Sequence, residues 1–137
     1  MKNKDFLATA TLLAAFAVAL GAFGAHGLKQ YVLPEKLVPF MTGVQYQFYH
    51  AIALALTVII SQFINSPWLR RSAWFFALGI LLFSGSLYLL TYFAATNTEG
   101  GKWVGAITPI GGIFFLLGWV FLTVSILKNN TVRSLLL

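Results

Sequence analysis

Cysteine is absent from the 137-residue sequence, and charged side chains are scarce. Without cysteine the chain has no disulfide, no thiolate metal ligand and no thiol redox chemistry. This excludes the quinone-linked disulfide oxidoreductases, a class of small membrane proteins with four helices. Only 9% of the residues are charged and 59% are hydrophobic, whereas a soluble surface needs about a quarter of its residues charged. The composition therefore indicates a membrane protein.

Four long segments contain no Asp, Glu, Lys or Arg, and the charges lie in short clusters between them. The uncharged segments are 6–28, 37–69, 72–98 and 103–127. Crossing a hydrocarbon core takes roughly 20 mostly apolar residues, each rising about 1.5 Å. We therefore expect an all-α membrane protein, a single domain with four transmembrane helices in an antiparallel bundle. The predicted spans are 6–28, 40–64, 72–96 and 106–127.

The basic residues are distributed unequally between the two sides of this bundle. One side has Lys2, Lys4, Arg70, Arg71, Lys128 and Arg133, and the other has Lys29, Lys36 and Lys102. Short loops rich in Lys and Arg stay in the cytoplasm, so both termini and the middle loop are predicted to be cytoplasmic. The positive charge then reflects topology and contacts with lipid headgroups. It does not indicate a nucleic-acid partner.

The first span also has features of a secretory signal. Lys2 and Lys4 precede an apolar stretch, and small residues at 21–27 offer a cleavage pattern. A cleaved signal has an apolar region of about 7 to 15 residues, and the apolar region here is longer. We therefore expect the first span to be retained.

Small residues recur at helical contact spacing within the spans. Helices in lipid associate through close backbone approach and interhelical hydrogen bonds, so such residues predict the faces at which helices touch. The glycines expected at helix contacts are Gly21, Gly24, Gly85, Gly111 and Gly112.

Pro109 leaves two interpretations of the fourth span. It either kinks a helix already running from Trp103, or it is the first residue of a helix that Thr108 caps. The second interpretation is slightly favoured, because residues 109–127 alone would span about 28 Å.

The candidate site lies in the second span, which carries a group of polar side chains. At about 100° per residue, Thr42, Gln45, Tyr46 and Tyr49 fall on one face, with His50 at its edge. A polar stripe of this kind is not expected to face hydrocarbon. The candidate ligand-binding residues are these five, together with His26 in the first span and Ser84 and Ser86 in the third.

Three roles are open for His50. A neutral imidazole bonded to Tyr or Ser would tie helices together, whereas a titrating imidazole would serve a proton or small-ligand site. The third role is a metal or haem site, in which His26 and His50 would be axial ligands from two helices. Two histidines without an embedded carboxylate or thiolate make a poor ligand set, so we expect neither a metal nor a cofactor.

Five segments, spread in order along nearly the whole chain, match segments of a known family. They are GAFGAHGL at 21–28, QYQFYHA at 45–51, FSGSLY at 83–88, ITPIGG at 107–112 and LGW at 117–119. With these segments the chain resembles the domain of unknown function 423 family, also filed as uncharacterised protein family 0382 and similar to the eukaryotic transmembrane protein 256. The resemblance implies a small multi-pass protein, in bacteria of the plasma membrane. That family has no established activity, so the resemblance implies none for this chain.

Two functions are consistent with these features. In the first, a polar pocket opening toward the outer face holds a lipid headgroup or small polar molecule, with membrane lipids and an unidentified protein as partners. In the second, the chain is a dimeric transporter or channel subunit, although a proton-coupled exporter would be expected to carry an embedded Asp or Glu. An enzyme is not expected, because no nucleophile, base and orienting group form a recognisable set.

Overall fold

Four long helices form the computed structural model, which describes residues 3–99 and 101–129. They are Asn3–His26, Pro34–Ile60, Pro67–Ala95 and Gly101–Leu127, and a 3-10 turn at Leu28–Gln30 follows the first. Each helix is long and apolar enough to cross a membrane. The prediction of an all-α fold with four transmembrane helices is therefore confirmed. In chain order these are the first to fourth helix.

Each helix begins earlier than the predicted span, and its first turns contain charged residues. The predicted spans leave these turns out because they were bounded by uncharged sequence. Pro34 and Pro67 lie at the starts of the second and third helices, where the missing amide hydrogen needs no partner. The Ser66 side chain accepts a hydrogen bond from the Trp68 amide at 3.3 Å and caps the third helix. Long side chains such as Arg70 can reach the interface from these turns, so counting uncharged residues alone misplaces the helix starts.

Pro109 lies inside the fourth helix, so the favoured interpretation, in which Pro109 is the first helical residue, is wrong. Thr108 does not cap the helix. Its hydroxyl lies 2.7 Å from the Ser86 hydroxyl of the third helix. Proline inside a transmembrane helix is tolerated where neighbouring helices and hydroxyl side chains compensate for the lost backbone bond. Pro39 is likewise inside the second helix.

The second and third helices form the middle of the bundle. The first helix packs against the second, the second against the third, and the fourth against the third. Leu54 of the second helix and Phe76 of the third are completely buried.

The third and fourth helices interlock through glycines and phenylalanines. Their facing pairs are Phe83 with Gly111, Gly79 with Phe115, and Phe76 with Gly118. At the first pair a π-helical segment, Ile80–Ser84, brings the backbone of the third helix against the fourth. A Cβ at Gly111 would lie 2.7 Å from the Phe83 Cα, which is too close for any side chain. This glycine therefore permits contact between two backbones.

Gly21 and Gly24 also lie at helix contacts, as predicted. An added Cβ at Gly21 would be 3.3 Å from Val44, and one at Gly24 would be 2.8 Å from the Phe40 ring. Both neighbours belong to the second helix. The small residues of the first helix thus allow the close approach of the second.

Gly85 and Gly112, also expected at helix contacts, are less closely packed than Gly111, and the structure shows a contact only at Gly112. A Cβ at Gly85, just after the π-helical segment, would meet nothing within 4 Å, and one at Gly112 would meet the Phe83 ring only at 3.9 Å. Gly112 is about 100° around the helix from Gly111, so its face points past the contact.

Candidate functional site

The second helix turns a different polar face inward from the one predicted. From position 43 to position 54 its buried residues are Gly43, Val44, Gln47, His50, Ala51, Ala53 and Leu54. Gln45 is exposed, and Tyr49 and Tyr46 are 58% and 39% exposed. Thr42 donates its hydroxyl to the Val38 carbonyl of its own helix. The predicted stripe is therefore not buried as a unit, because the inward face combines apolar residues with Gln47 and His50.

Gln47 links three helices at the midpoint of the second one. Its side-chain nitrogen donates to the Leu13 carbonyl of the first helix at 2.8 Å, and its side-chain oxygen accepts from the Tyr88 hydroxyl of the third at 2.9 Å. The side chain is 3% exposed. The sequence interpretation missed this residue, although its position three residues before His50 places both on one helical face.

His50 is held by partners that suit a neutral imidazole. Its Nδ1 lies 2.8 Å from the Tyr46 carbonyl oxygen, and its Nε2 accepts from the indole N–H of Trp119 at 3.3 Å. A carbonyl can only accept and an indole N–H can only donate, so both bonds form when the proton is on Nδ1. The ring also stacks on Phe115, with centroids 3.5 Å apart and planes 9° apart. These contacts favour the helix-tying role among the three considered.

The other predicted site residues do not converge on His50. The His26 ring, which is exposed, lies 3.1 Å from the Ala22 carbonyl of its own helix. Ser86 donates to the Phe83 carbonyl and contacts Thr108. The buried Ser84 hydroxyl has no hydrogen-bond partner within the part of the chain that the structure describes.

No group of three His, Cys, Asp or Glu side chains within residues 3–99 and 101–129 could hold a metal ion. Both ring nitrogens of His50 already have partners in the protein. Binding a metal through this imidazole would break one of those two contacts.

A cleft of about 620 Å³ lies between the start of the second helix and the end of the third. We call it the Lys36 cleft. Its polar lining is Tyr31, Lys36, Thr91, Asn97 and Thr98, and its apolar lining includes Val32, Leu90 and Phe93. Lys36 is the one charged residue among the described lining residues. The cleft is at the end of the bundle predicted to be outer, but none of the eight predicted ligand-binding residues lines it.

Thr91 joins two helices at the Lys36 cleft. Its hydroxyl donates to the Leu87 carbonyl at 3.0 Å and lies 3.4 Å from the Lys36 carbonyl. It is 2% exposed, so it belongs to the floor of the cleft. The described lining combines apolar side chains with a few polar groups and one cation, which is the usual make-up of a small-molecule site.

The fold and these cavities define a small multi-pass membrane protein with four helical spans. The chain belongs to the family described as "Protein of unknown function (DUF423)", whose model matches residues 20–112. The resemblance in the sequence motifs is therefore confirmed.

Relatives of this chain are named as membrane proteins. The UPF0382 membrane protein of Haemophilus influenzae is 42% identical over 131 residues, covering 96% of this chain and 99% of the relative. Bacillus subtilis YwdK is 36% identical over 91% of this chain and 98% of its own. The Escherichia coli inner membrane protein YgdD is 36% identical over 93% of both chains. No solved structure matches.

Proposed function

We propose that the protein is a membrane-embedded binding protein that holds a lipid headgroup or small polar molecule in the Lys36 cleft. The cleft volume of about 620 Å³ falls within the roughly 300–1,000 Å³ typical of ligand sites. The observation that carries the proposal is Lys36, the one cation among the lining residues that the structure describes, together with the neutral polar groups of Thr91, Asn97 and Thr98. A ligand bearing a negative or strongly polar group complements this lining.

The proposed orientation places this cleft at the outer leaflet, with both termini in the cytoplasm. The asymmetry of lysine and arginine between the two ends supports that orientation. Binding is favoured over catalysis because the cleft lining contains no histidine, carboxylate or cysteine among its described residues, and those are the usual acids, bases and nucleophiles.

Native mass spectrometry of protein extracted with its own membrane lipids tests this proposal. The Lys36→Gln variant should lose the co-purifying molecule, because a hydrogen bond to a charged group is worth about 1.5–3 kcal/mol, or at least about tenfold in affinity. Lys29→Gln is the matched control, since Lys29 is exposed at the same end but does not line the cleft. Identical bound species in the parent and both variants would contradict the proposal.

A second proposal concerns association of two copies, as the transporter or channel alternative requires. Gln45 and Tyr49 border a groove of about 300 Å³ whose floor includes Gly21 and Ala22 of the first helix. Neither polar side chain has a hydrogen-bond partner among the residues described here. Both lie near the middle of the second helix, where an unpaired amide in lipid is costly. A second copy could pair Gln45 with Gln45 across a two-fold axis.

Resonance energy transfer between labelled copies in vesicles tests this second proposal. Gln45→Leu should reduce association severalfold, because interhelical hydrogen bonds in membranes contribute about 1 kcal/mol each. Leu116→Ala, at an exposed position of the fourth helix, serves as the control and should leave it unchanged. A parent protein that stays monomeric at all protein-to-lipid ratios would refute the dimer.

A further inference from the structure

Another groove lies at the end of the bundle opposite the Lys36 cleft, on the surface of the third and fourth helices. It has a volume of about 540 Å³ and is lined by Arg70, Arg71, Trp74, Leu78 and Phe114, among others. We call it the arginine groove. The residues 70, 71, 74 and 78 share one face of the third helix. From Arg71 to Leu78 this face extends about 10 Å, within the roughly 15 Å half-thickness of a bilayer core.

Two arginines line one end of the arginine groove, and Lys128 lies close to that end without lining the groove. The Arg71 guanidinium lies 4.5 Å from the centre of the Trp68 ring, and the Lys128 ammonium lies 5.7 Å from the same ring. Both cations therefore lie against the same ring, and Arg70 is the neighbour of Arg71 in the chain. No acidic residue is among the described residues that line the groove. An anion at Arg70 and Arg71 would therefore be attracted by the positive charge at this end of the groove.

A polar recess adjoins the arginine groove at Arg70. It has a volume of about 430 Å³, shares Pro67 and Arg70 with the groove, and includes Asn3, Ser61 and Asn65 in its lining. Asn3 donates to the Ser61 hydroxyl at 3.1 Å. Amides and hydroxyls beside a cation suit a hydroxylated or otherwise polar headgroup, whereas the neighbouring groove is almost entirely apolar below its arginines.

We propose that the arginine groove binds one anionic diacyl phospholipid. The phosphate lies at Arg70 and Arg71, one acyl chain follows Trp74 and Leu78 toward Phe114, and the headgroup points into the polar recess. Arginine suits this task because its guanidinium can donate two parallel hydrogen bonds to a phosphate. The site is at the other end of the bundle from the Lys36 cleft and shares no described lining residue with it.

Binding to delipidated protein in detergent, followed by native mass spectrometry, tests the proposal. The probes are dioleoylphosphatidylglycerol, which is anionic, and dioleoylphosphatidylcholine, which is zwitterionic. The parent should bind one phosphatidylglycerol in preference to phosphatidylcholine. The double variant Arg70→Gln/Arg71→Gln should bind phosphatidylglycerol about thirtyfold more weakly, as roughly 1 kcal/mol for each basic residue implies. Lys4→Gln/Lys29→Gln loses the same charge outside the groove and should bind like the parent.

A second pair of variants keeps both arginines and so preserves the charges that set topology. Leu78→Trp should fill the groove and weaken phosphatidylglycerol binding, whereas Leu81→Trp, at a 67% exposed position outside the groove, should not. Equal binding of the two lipids by the parent would overturn the proposal, as would unchanged binding by the arginine variant or by Leu78→Trp. Displacement of the lipid by inorganic phosphate would indicate a site for free anions and would also overturn it.

Discussion

Replacing Gly111 with alanine tests the contact between the third and fourth helices more sharply than any larger substitution. The new Cβ would lie 2.7 Å from the Phe83 Cα and 2.8 Å from its Cβ. Carbon atoms in contact are about 3.5–4.0 Å apart, so the two helices would have to separate by about 1 Å at this point. The obstacle is backbone in the π-helical segment, which cannot rotate away as a flexible side chain could.

The expected cost follows from two opposing effects. Overpacking a tight contact costs about 1–3 kcal/mol, while alanine favours a helix over glycine by about 1 kcal/mol. Gly111→Ala should therefore lower the free energy of unfolding by up to about 2 kcal/mol. Gly112→Ala gains the same helix preference but makes only an ordinary contact, at 3.9 Å from the Phe83 ring. It should be neutral or stabilising by up to about 1 kcal/mol.

Unfolding both variants in mixed micelles by increasing the fraction of denaturing detergent measures this difference. Because the two positions are neighbours in the chain, effects of helix propensity and of depth in the membrane nearly cancel in the comparison. Equal stability of the two variants would refute the assignment of Gly111 to a backbone contact.

Two further predictions concern the polar side chains in the core. Gln47→Leu and Tyr88→Phe should each destabilise the protein by about 1 kcal/mol in the same unfolding assay. A double-mutant cycle should give a coupling energy of about 0.6 kcal/mol, the average for interhelical hydrogen bonds in membranes. Additive effects would show that the hydrogen bond at 2.9 Å contributes nothing to stability. Trp119→Phe removes the hydrogen-bond donor to His50 while keeping an aromatic ring, so it should lower the free energy of unfolding by about 1 kcal/mol or less, measured by thermal unfolding. Complete unfolding of this variant would contradict the interpretation that His50 only links helices by a hydrogen bond.

Charge and hydropathy predicted the number and type of the helices because crossing hydrocarbon imposes a length that few sequences satisfy by accident. The inward face of the second helix was harder to predict. Polar residues occur around much of its circumference, from Gln45 and Tyr49 on one face to Gln47 and His50 on another. Lipid is as apolar as the protein core, so apolar residues alone do not mark which face is inward. Neighbouring helices approach closely at Gly43 and Gly24, but these glycines identify the inward faces only when the pairing of the helices is known.

The Lys36 cleft was not predictable as a set of residues, because it is built from different elements. Tyr31 comes from the first connection, Lys36 from the second helix, and Asn97 and Thr98 from the third connection. Helical periodicity relates positions within one helix only. The π-helical segment was equally hidden, since it changes the hydrogen-bonding pattern of the backbone and the contact at Gly111 without a distinct side-chain signature.

The proposed function requires the Lys36 cleft to open on the outer side of the membrane. Because the natural chain has no cysteine, a single Thr98→Cys variant can be labelled without background. In intact cells a membrane-impermeant maleimide should modify Cys at this exposed position, whereas an Asn65→Cys variant at the opposite end should react only after permeabilisation. Labelling of the Asn65 variant but not of the Thr98 variant in intact cells would place the cleft in the cytoplasm and contradict the account.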